Sequence, residues 1–430
     1  MQSKGKDLPI TLPKGVKDFL PEMAGRMCAI DEKLARTFEL WGYRKVVTPY
    51  IEYLDVLALA EPGLQDRMFK FEDRASGRML ALRPDITAQI ARLSASHLKD
   101  HARPLRLHYN GSVLHYGERD KGGSREIYQS GLELIGLEQA EADGEIIAVA
   151  IEALKSVGLR DFKIDVGQVE FFRGVMEGLK LPEEVKKDVE EAVARKDRSG
   201  IEDILPSLRL KDRDAEVLLA LPSLFGDRTV LGRAESMTAD PRAGKALENL
   251  FQVLDTVDSY GLMDFITVDL GEIRGLNYYT GVIFEGFVSG LGEEICGGGR
   301  YDTLHGRYGH NAPATGFAVN LETLLRGLEV QGVRPEPGSA HVLIVNKKND
   351  RDEALKVARS LREKGVRVAR EIEKRDIDSS VSYAKSESMK KVVVLGGSDM
   401  GDDELMLIDL ENDVKMMHKT ADLISGKVHI

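Results

Sequence analysis

The chain holds two cysteines in 430 residues, Cys28 and Cys296, far apart in sequence. That scarcity excludes a disulfide framework and any Cys/His zinc spacing. No uninterrupted apolar run reaches membrane-spanning length, and the N-terminus, Met-Gln-Ser-Lys-Gly-Lys-Asp, has no apolar signal core. A reduced, cytoplasmic setting with no membrane partner follows as an expectation. An excess of basic charge is lacking too: the net charge is −11. Sequence-independent nucleic-acid binding rests on Lys and Arg neutralising phosphates, so this balance argues against a dedicated nucleic-acid binder while leaving room for a local basic patch. What remains is ordinary for a soluble globular protein, 42% hydrophobic and 30% charged, and long enough for two or three domains.

Met23, Met27, Ile30, Leu34 and Phe38 form a helical stripe, and Gly42 is placed to stop that helix. The β-branched run Val46-Val47-Thr48 then meets Pro49, where a strand should end or turn. Strand-like runs follow at Met79–Leu82, Leu105–Tyr109 and Ile127–Ile135, with a helix suggested by Ile86, Ile90 and Leu93. Strands and helices do not alternate strictly, which fits a mixed or antiparallel sheet with flanking helices better than a doubly wound one. Charged, helix-favouring composition dominates residues 172–260, and strand-like sequence resumes at Phe265–Leu270. After the linker candidate Gly332-Val-Arg-Pro-Glu-Pro-Gly338 the pattern reads β-α-β-α-β, a small α/β domain.

Several residues have the chemistry of an amino-acid pocket. Asp85, Gln129 and Glu133 supply acceptors for an ammonium or imidazole N–H. Arg274 offers a planar fork for a carboxylate, and Tyr279 and Tyr301 offer flat faces with polar tips. Taken singly these features are weak. Gln129 and Glu133, four apart on a strand, share one face and read equally well as a solvated face; Tyr278-Tyr279 alone reads as core packing.

Their order along the chain is more specific. Gly15-Val-Lys-Asp-Phe-Leu-Pro21, Leu82-Arg-Pro-Asp-Ile-Thr87, Ser124-Arg-Glu-Ile-Tyr-Gln-Ser-Gly-Leu-Glu133, Arg274-Gly-Leu-Asn-Tyr-Tyr-Thr-Gly281 with Gly297-Gly-Gly-Arg-Tyr-Asp302, and Ala314–Leu325 follow one another. This ordered set resembles the histidyl-tRNA synthetase branch of the class II aminoacyl-tRNA synthetases. The resemblance implies an α+β fold: a class II synthetase-like antiparallel sheet core over 1–171 and 261–331, a helical insertion over 172–260, and a C-terminal α/β anticodon-binding-like domain over 338–430. It also implies a histidine site made by Asp85, Thr87, Gln129, Glu133, Arg274, Tyr279 and Tyr301, with Asp85 standing where the family usually has Glu.

The nucleotide half departs from the family. His115 stands where a motif-2 arginine holds the α-phosphate, Asn320 replaces a glycine that lets the nucleotide approach the backbone, and Thr323 replaces the arginine that lies over adenine. A neutral hydroxyl and a mostly uncharged imidazole cannot reproduce two guanidinium groups. Cationic groups at the phosphates carry phosphoryl chemistry, so adenylate formation is not expected. Acidic and basic residues look balanced in the tail, with Asp399-Met-Gly-Asp-Asp-Glu404 and Lys390-Lys391, so a tRNA-reading surface is not expected there.

A synthetase body with a kept amino-acid pocket and an altered ATP site resembles the regulatory subunits of ATP phosphoribosyltransferase. That resemblance implies a non-catalytic subunit required in the first step of histidine biosynthesis. It further implies a homodimeric core docked onto the catalytic subunit of a short-form ATP phosphoribosyltransferase, L-histidine as effector, and no cofactor, metal or catalytic residue on this chain. The alternative reading is an active histidyl-tRNA synthetase using ATP and tRNA.

Overall fold

The computed structural model describes residues 11–60, 63–116, 124–179, 181–208, 210–238, 240–273, 278–335, 341–348, 350–397 and 400–429. The chain divides into two compact units, Met1–Glu336 and Pro337–Ile430.

The first unit is built on a nine-stranded sheet ordered β1-β5-β6-β12-β11-β10-β7-β9-β8. Its strands are β1 (Arg44–Lys45), β5 (Leu105–Leu114), β6 (Glu126–Ile135), β7 (Lys163–Gln168), β8 (Phe225–Gly226), β9 (Ile266–Asp269), β10 (Val282–Phe287), β11 (Glu294–Arg300) and β12 (Ala314–Asn320). A separate small sheet, ordered β2-β4-β3, is made by β2 (Ile51–Tyr53), β3 (Lys70–Glu72) and β4 (Met79–Leu82). The large sheet is mixed rather than purely antiparallel. β1 runs parallel to β5 and β7 parallel to β9, while the central β5-β6-β12-β11-β10-β7 run is antiparallel.

Helix α1 (Pro21–Leu40) buries Met27, Ile30, Leu34 and Phe38, the stripe read from the sequence, and Gly42 follows at φ +84°, a conformation glycine adopts without steric cost. The strand expected at Val46–Thr48 is instead the two-residue β1. Val46 adds one further bond to the His108 carbonyl, and the chain turns at Pro49.

With α4 (Ala140–Ser156) and α11 (Leu321–Val330), α1 covers one sheet face, burying Leu132, Leu134, Phe317 and Val319. Strict alternation sends Leu107, Tyr109, Ile127 and Ile135 to the opposite face, against α2 (Leu54–Leu57) and α3 (Thr87–Ser96). Between β7 and β9 the chain is mainly helical: α5 (Val169–Leu179), α6 (Glu183–Ala194), α7 (Arg198–Ile204), α8 (Asp212–Ala220), α9 (Thr229–Met237) and α10 (Pro241–Ser259). Among the described residues no helix is long and apolar enough to cross a membrane.

The second unit is a five-stranded sheet ordered β14-β13-β15-β16-β17. It comprises β13 (His341–Asn346), β14 (Arg367–Arg370), β15 (Lys391–Leu395), β16 (Glu404–Asp409) and β17 (Val414–Lys419). α12 (Asp352–Glu363) and α14 (Thr420–Ser425) pack on one face and α13 (Ile377–Ser386) on the other. The β-α-β-α-β reading stops short here. Beyond β15 a hairpin, β16–β17, adds two antiparallel strands, one of them beginning at the last residue of the acidic run.

Candidate functional site

A cavity of about 280 Å³ opens on the α3 face of the large sheet. Its floor comes from adjacent strands. β6 presents Gln129 and Glu133, β12 presents Gly316 and Ala318, and β11 contributes Gly297 and Gly298. Asp85 and Thr87 enter from the start of α3, Tyr278 and Tyr279 from the segment before β10, and Tyr301 from just beyond β11. Six of the seven residues predicted to hold histidine therefore converge on one cavity. The seventh, Arg274, lies outside the described residues.

Glu133 is the centre of this arrangement. Its carboxyl is 1% exposed and accepts hydrogen bonds from the Tyr301 hydroxyl and, at 3.4 Å, from the Tyr109 hydroxyl; the Thr87 hydroxyl bonds it as well. Burial pushes its pKa up to about 8, against the lowering effect of those three hydroxyls, and the nearby Asp85 charge pushes the same way as burial. Asp85 is differently occupied. Its Oδ1 accepts from the Thr87 backbone N–H at 3.1 Å and its Oδ2 from that of Ala88 at 3.3 Å, so it holds the first turn of α3. The shorter acid thus has a structural role at the cavity edge, and desolvation raises its pKa despite those bonds.

Glycine makes the floor possible. A Cβ on Gly316 would overlap a Glu133 carboxylate oxygen and the Leu132 carbonyl. One on Gly131 would sit 2.7 Å from the Tyr109 hydroxyl and 2.6 Å from the Phe317 carbonyl. Tyr109 escaped the sequence reading. The available signal was Gly131, its cross-strand partner, set between Gln129 and Glu133. Tyr278, outside the seven predicted residues, also lines the cavity, tilted against Tyr301 with ring centroids 5.4 Å apart; Arg67 and Leu64 were also missed.

Behind the site, Arg300 of the Gly-Gly-Gly-Arg-Tyr-Asp run makes a buried ion pair with Asp143 (Nε to Oδ2, 2.9 Å) and donates to the Leu137 carbonyl at 2.9 Å. It fastens the strand that delivers Tyr301 to the start of α4. Arg83 is equally structural, donating to the carbonyls of Ser112 and Thr48 at 2.7 and 3.1 Å.

The three positions read as an altered ATP site sit apart from this cluster or at its rim. His115 lines the cavity, its Nε2 donating to the Pro84 carbonyl at 2.8 Å. Asn320 is not a lining residue: it caps α11, its Oδ1 accepting from the N–H groups of Glu322 and Thr323 at 3.1 and 3.2 Å. The side chain expected only to crowd a ligand therefore has work within the fold. Thr323 is buried, and its hydroxyl accepts from Arg326 at 3.3 Å, whose other nitrogen binds Glu293 at 2.7 Å. Among the described residues no cluster of three or more His, Cys, Asp or Glu is arranged to hold a metal ion.

The fold and cavity define the class first: the sequence model of histidyl-tRNA synthetase matches residues 15–324. A histidyl-tRNA synthetase from Nostoc sp. PCC 7120 shares the fold with a TM-score of 0.84 at 24% identity, covering 97% of this chain and 99% of that one. Finer likeness comes from two others. The ATP phosphoribosyltransferase regulatory subunit of Geobacter sulfurreducens is 45% identical over 417 residues, 97% of this chain and 95% of that protein. A Bacillus halodurans structure described as an ATP phosphoribosyltransferase regulatory subunit/histidyl-tRNA synthetase matches with a TM-score of 0.81 at 33% identity, covering 90% of this chain and 99% of that one. The chain belongs to the ATP phosphoribosyltransferase regulatory subunits, non-catalytic proteins of histidine biosynthesis built on the class II synthetase fold.

Proposed function

We propose that this chain is the regulatory subunit required by the catalytic subunit of a short-form ATP phosphoribosyltransferase in the cytoplasm, and that its cavity binds L-histidine. The observation that carries the histidine reading is Gln129 Oε1, a buried acceptor with no partner among the described residues, on the same strand face as the buried Glu133. An unpaired buried acceptor is costly, and a ligand N–H relieves it. Asp85, Thr87, Gln129, Glu133, Tyr279, Tyr301 and Arg274 form the site in this reading. Tyr279 and Tyr301 supply faces for an imidazole ring.

The core comprises 1–171 and 261–331 and pairs with a second copy, the insertion 172–260 and the tail 338–430 being attachments to it. Val47, Tyr50, Ile51, Phe71 and Met79 expose large apolar side chains on or beside the β2-β4-β3 sheet, which supports a self-associating surface. His115, Asn320 and Thr323 mark the lost nucleotide site.

Histidine then acts by linkage: it shifts the assembly toward whichever state binds it better, and a coupling of about 1–3 kcal/mol changes partner activity about 5- to 150-fold. Titration calorimetry of the full chain with L-histidine, alone and with the catalytic subunit, tests this. Saturable binding that is lost in Glu133→Ala is expected. Absence of binding in both settings, or unchanged binding in the variant, refutes the histidine site.

A further inference from the structure

Two carboxyl groups, Asp85 and Glu133, face one cavity whose basic lining residues, among those described, are Arg67 and His115. Around Glu133 the ionisable neighbours are Tyr109 from β5, Asp85 from the turn before α3, Tyr301 from beyond β11, and Tyr278 and Tyr279 from the segment before β10; β12 offers only backbone and Gly316. His115 faces Asp85. Among the described residues, the groups that bond Glu133 are hydroxyls and the charged group acting on it is the acid Asp85. The tyrosines are held well above their usual range by burial, so they remain neutral donors at working pH.

We infer that the empty cavity holds an exchangeable proton on the Asp85–Glu133 pair, and that seating a cationic amino acid displaces it to solvent. The exchange is Glu133–COOH plus ligand cation going to Glu133–COO⁻ paired with that cation plus H⁺, with no covalent bond broken apart from the O–H. Geometry supports it. The carboxyl is 1% exposed and packs so closely on Gly316 that no Cβ fits between them, and tyrosine hydroxyls stabilise either charge state. Asp85 has His115 facing it, whereas the described groups that bond Glu133 are hydroxyls, so of the two carboxyls Glu133 is the one that keeps the proton. The high pKa of Glu133, about 8, agrees with this and sets the working range. Occupancy of the site would therefore report pH as well as histidine concentration.

The inference rests on the histidine reading above, and one experiment separates the two. Titrate the full chain with L-histidine at pH 7 in phosphate and in Tris, buffers of different ionisation heat, then repeat at pH 8. Release of close to one proton per histidine at pH 7 is expected, with binding about fivefold tighter at pH 8, because only the ionised fraction of the site is competent. Glu133→Gln should remove the buffer-dependent part of the heat. Should that variant fail to bind, Tyr301→Phe provides the second arm: losing a donor to the carboxylate should move the midpoint of the pH dependence upward. Binding with identical heats in both buffers, or a midpoint unmoved in Tyr301→Phe, overturns the proton exchange and leaves the histidine site standing. No binding in any buffer overturns both.

Discussion

Two neighbouring regions of the same sheet have handled their polar groups in opposite ways. At the cavity, Gln129 keeps a buried acceptor with no partner among the described residues, and Glu133 is held as a carboxyl far from water. A few residues away, at the start of α11, polar groups are paired with one another. Asn320 caps the helix, Thr323 accepts from Arg326, and Arg326 is tied to Glu293. β6 and β12 run through both regions, and Asn320 lies directly opposite Gln129 in their register. On the proposed reading, a site kept for a ligand shows as capacity left open, while a site given up shows as capacity consumed by the fold. An unpaired buried acceptor is costly, and among the described residues Gln129 Oε1 is the one that lines the cavity.

The largest effect that could break this contrast lies beneath the cavity. Asp143→Ala would leave the buried Arg300 guanidinium with Asp302 and two backbone carbonyls but without its closest carboxylate, at a cost of about 3 kcal/mol. Urea unfolding should show that loss, and an intact midpoint would mean Tyr301 is held some other way. Gly316→Ala comes next. Its new methyl meets the Glu133 carboxylate and a backbone carbonyl that cannot step aside, so about 1–3 kcal/mol of stability should go together with ligand binding.

Glu133→Gln sharpens the comparison through pH. The folded-state pKa of Glu133, about 8, lies above its ordinary value of 4.5, so in the empty protein the stability tied to its proton is present below 4.5 and is lost as pH rises through 8. The variant should therefore gain thermal stability relative to wild type at pH 8.5 and show little gain at pH 5; parallel melting curves at both would contradict the buried carboxylic acid. Asn320→Ala should have the smallest effect, about 1 kcal/mol from the lost cap, with histidine affinity unchanged in calorimetry. A large fall in affinity would show that the two regions are one site.

Much of this was legible in the chain. Met27, Ile30, Leu34 and Phe38 recur at helical spacing, and Gln129 and Glu133 are four apart on a strand, so both facts are local and periodic. Resemblance to an ordered set of motifs, rather than any local period, brought together six residues that three distant segments of the chain supply to one cavity. The hairpin β16–β17 was harder to see. Its first strand begins at the end of an acidic run and its second, Val-Lys-Met-Met-His-Lys, is largely exposed at the sheet edge, so neither shows strong alternation.

The sequence by itself determined the family, the stripe of α1, the residue types that line the cavity, and an imidazole at His115 and a neutral hydroxyl at Thr323, since each depends only on which residue stands at which position. Only the tertiary structure decided how those groups are used. It turned Asp85 onto the α3 backbone, made Asn320 a cap, assigned Arg300 and Arg83 to the scaffold, and brought Tyr109 to Glu133 across the gap left by Gly131. The physical reason is that desolvation and hydrogen-bond partnership belong to three-dimensional neighbours. A carboxyl becomes a proton-holding acid only when strands distant in sequence close around it and exclude water.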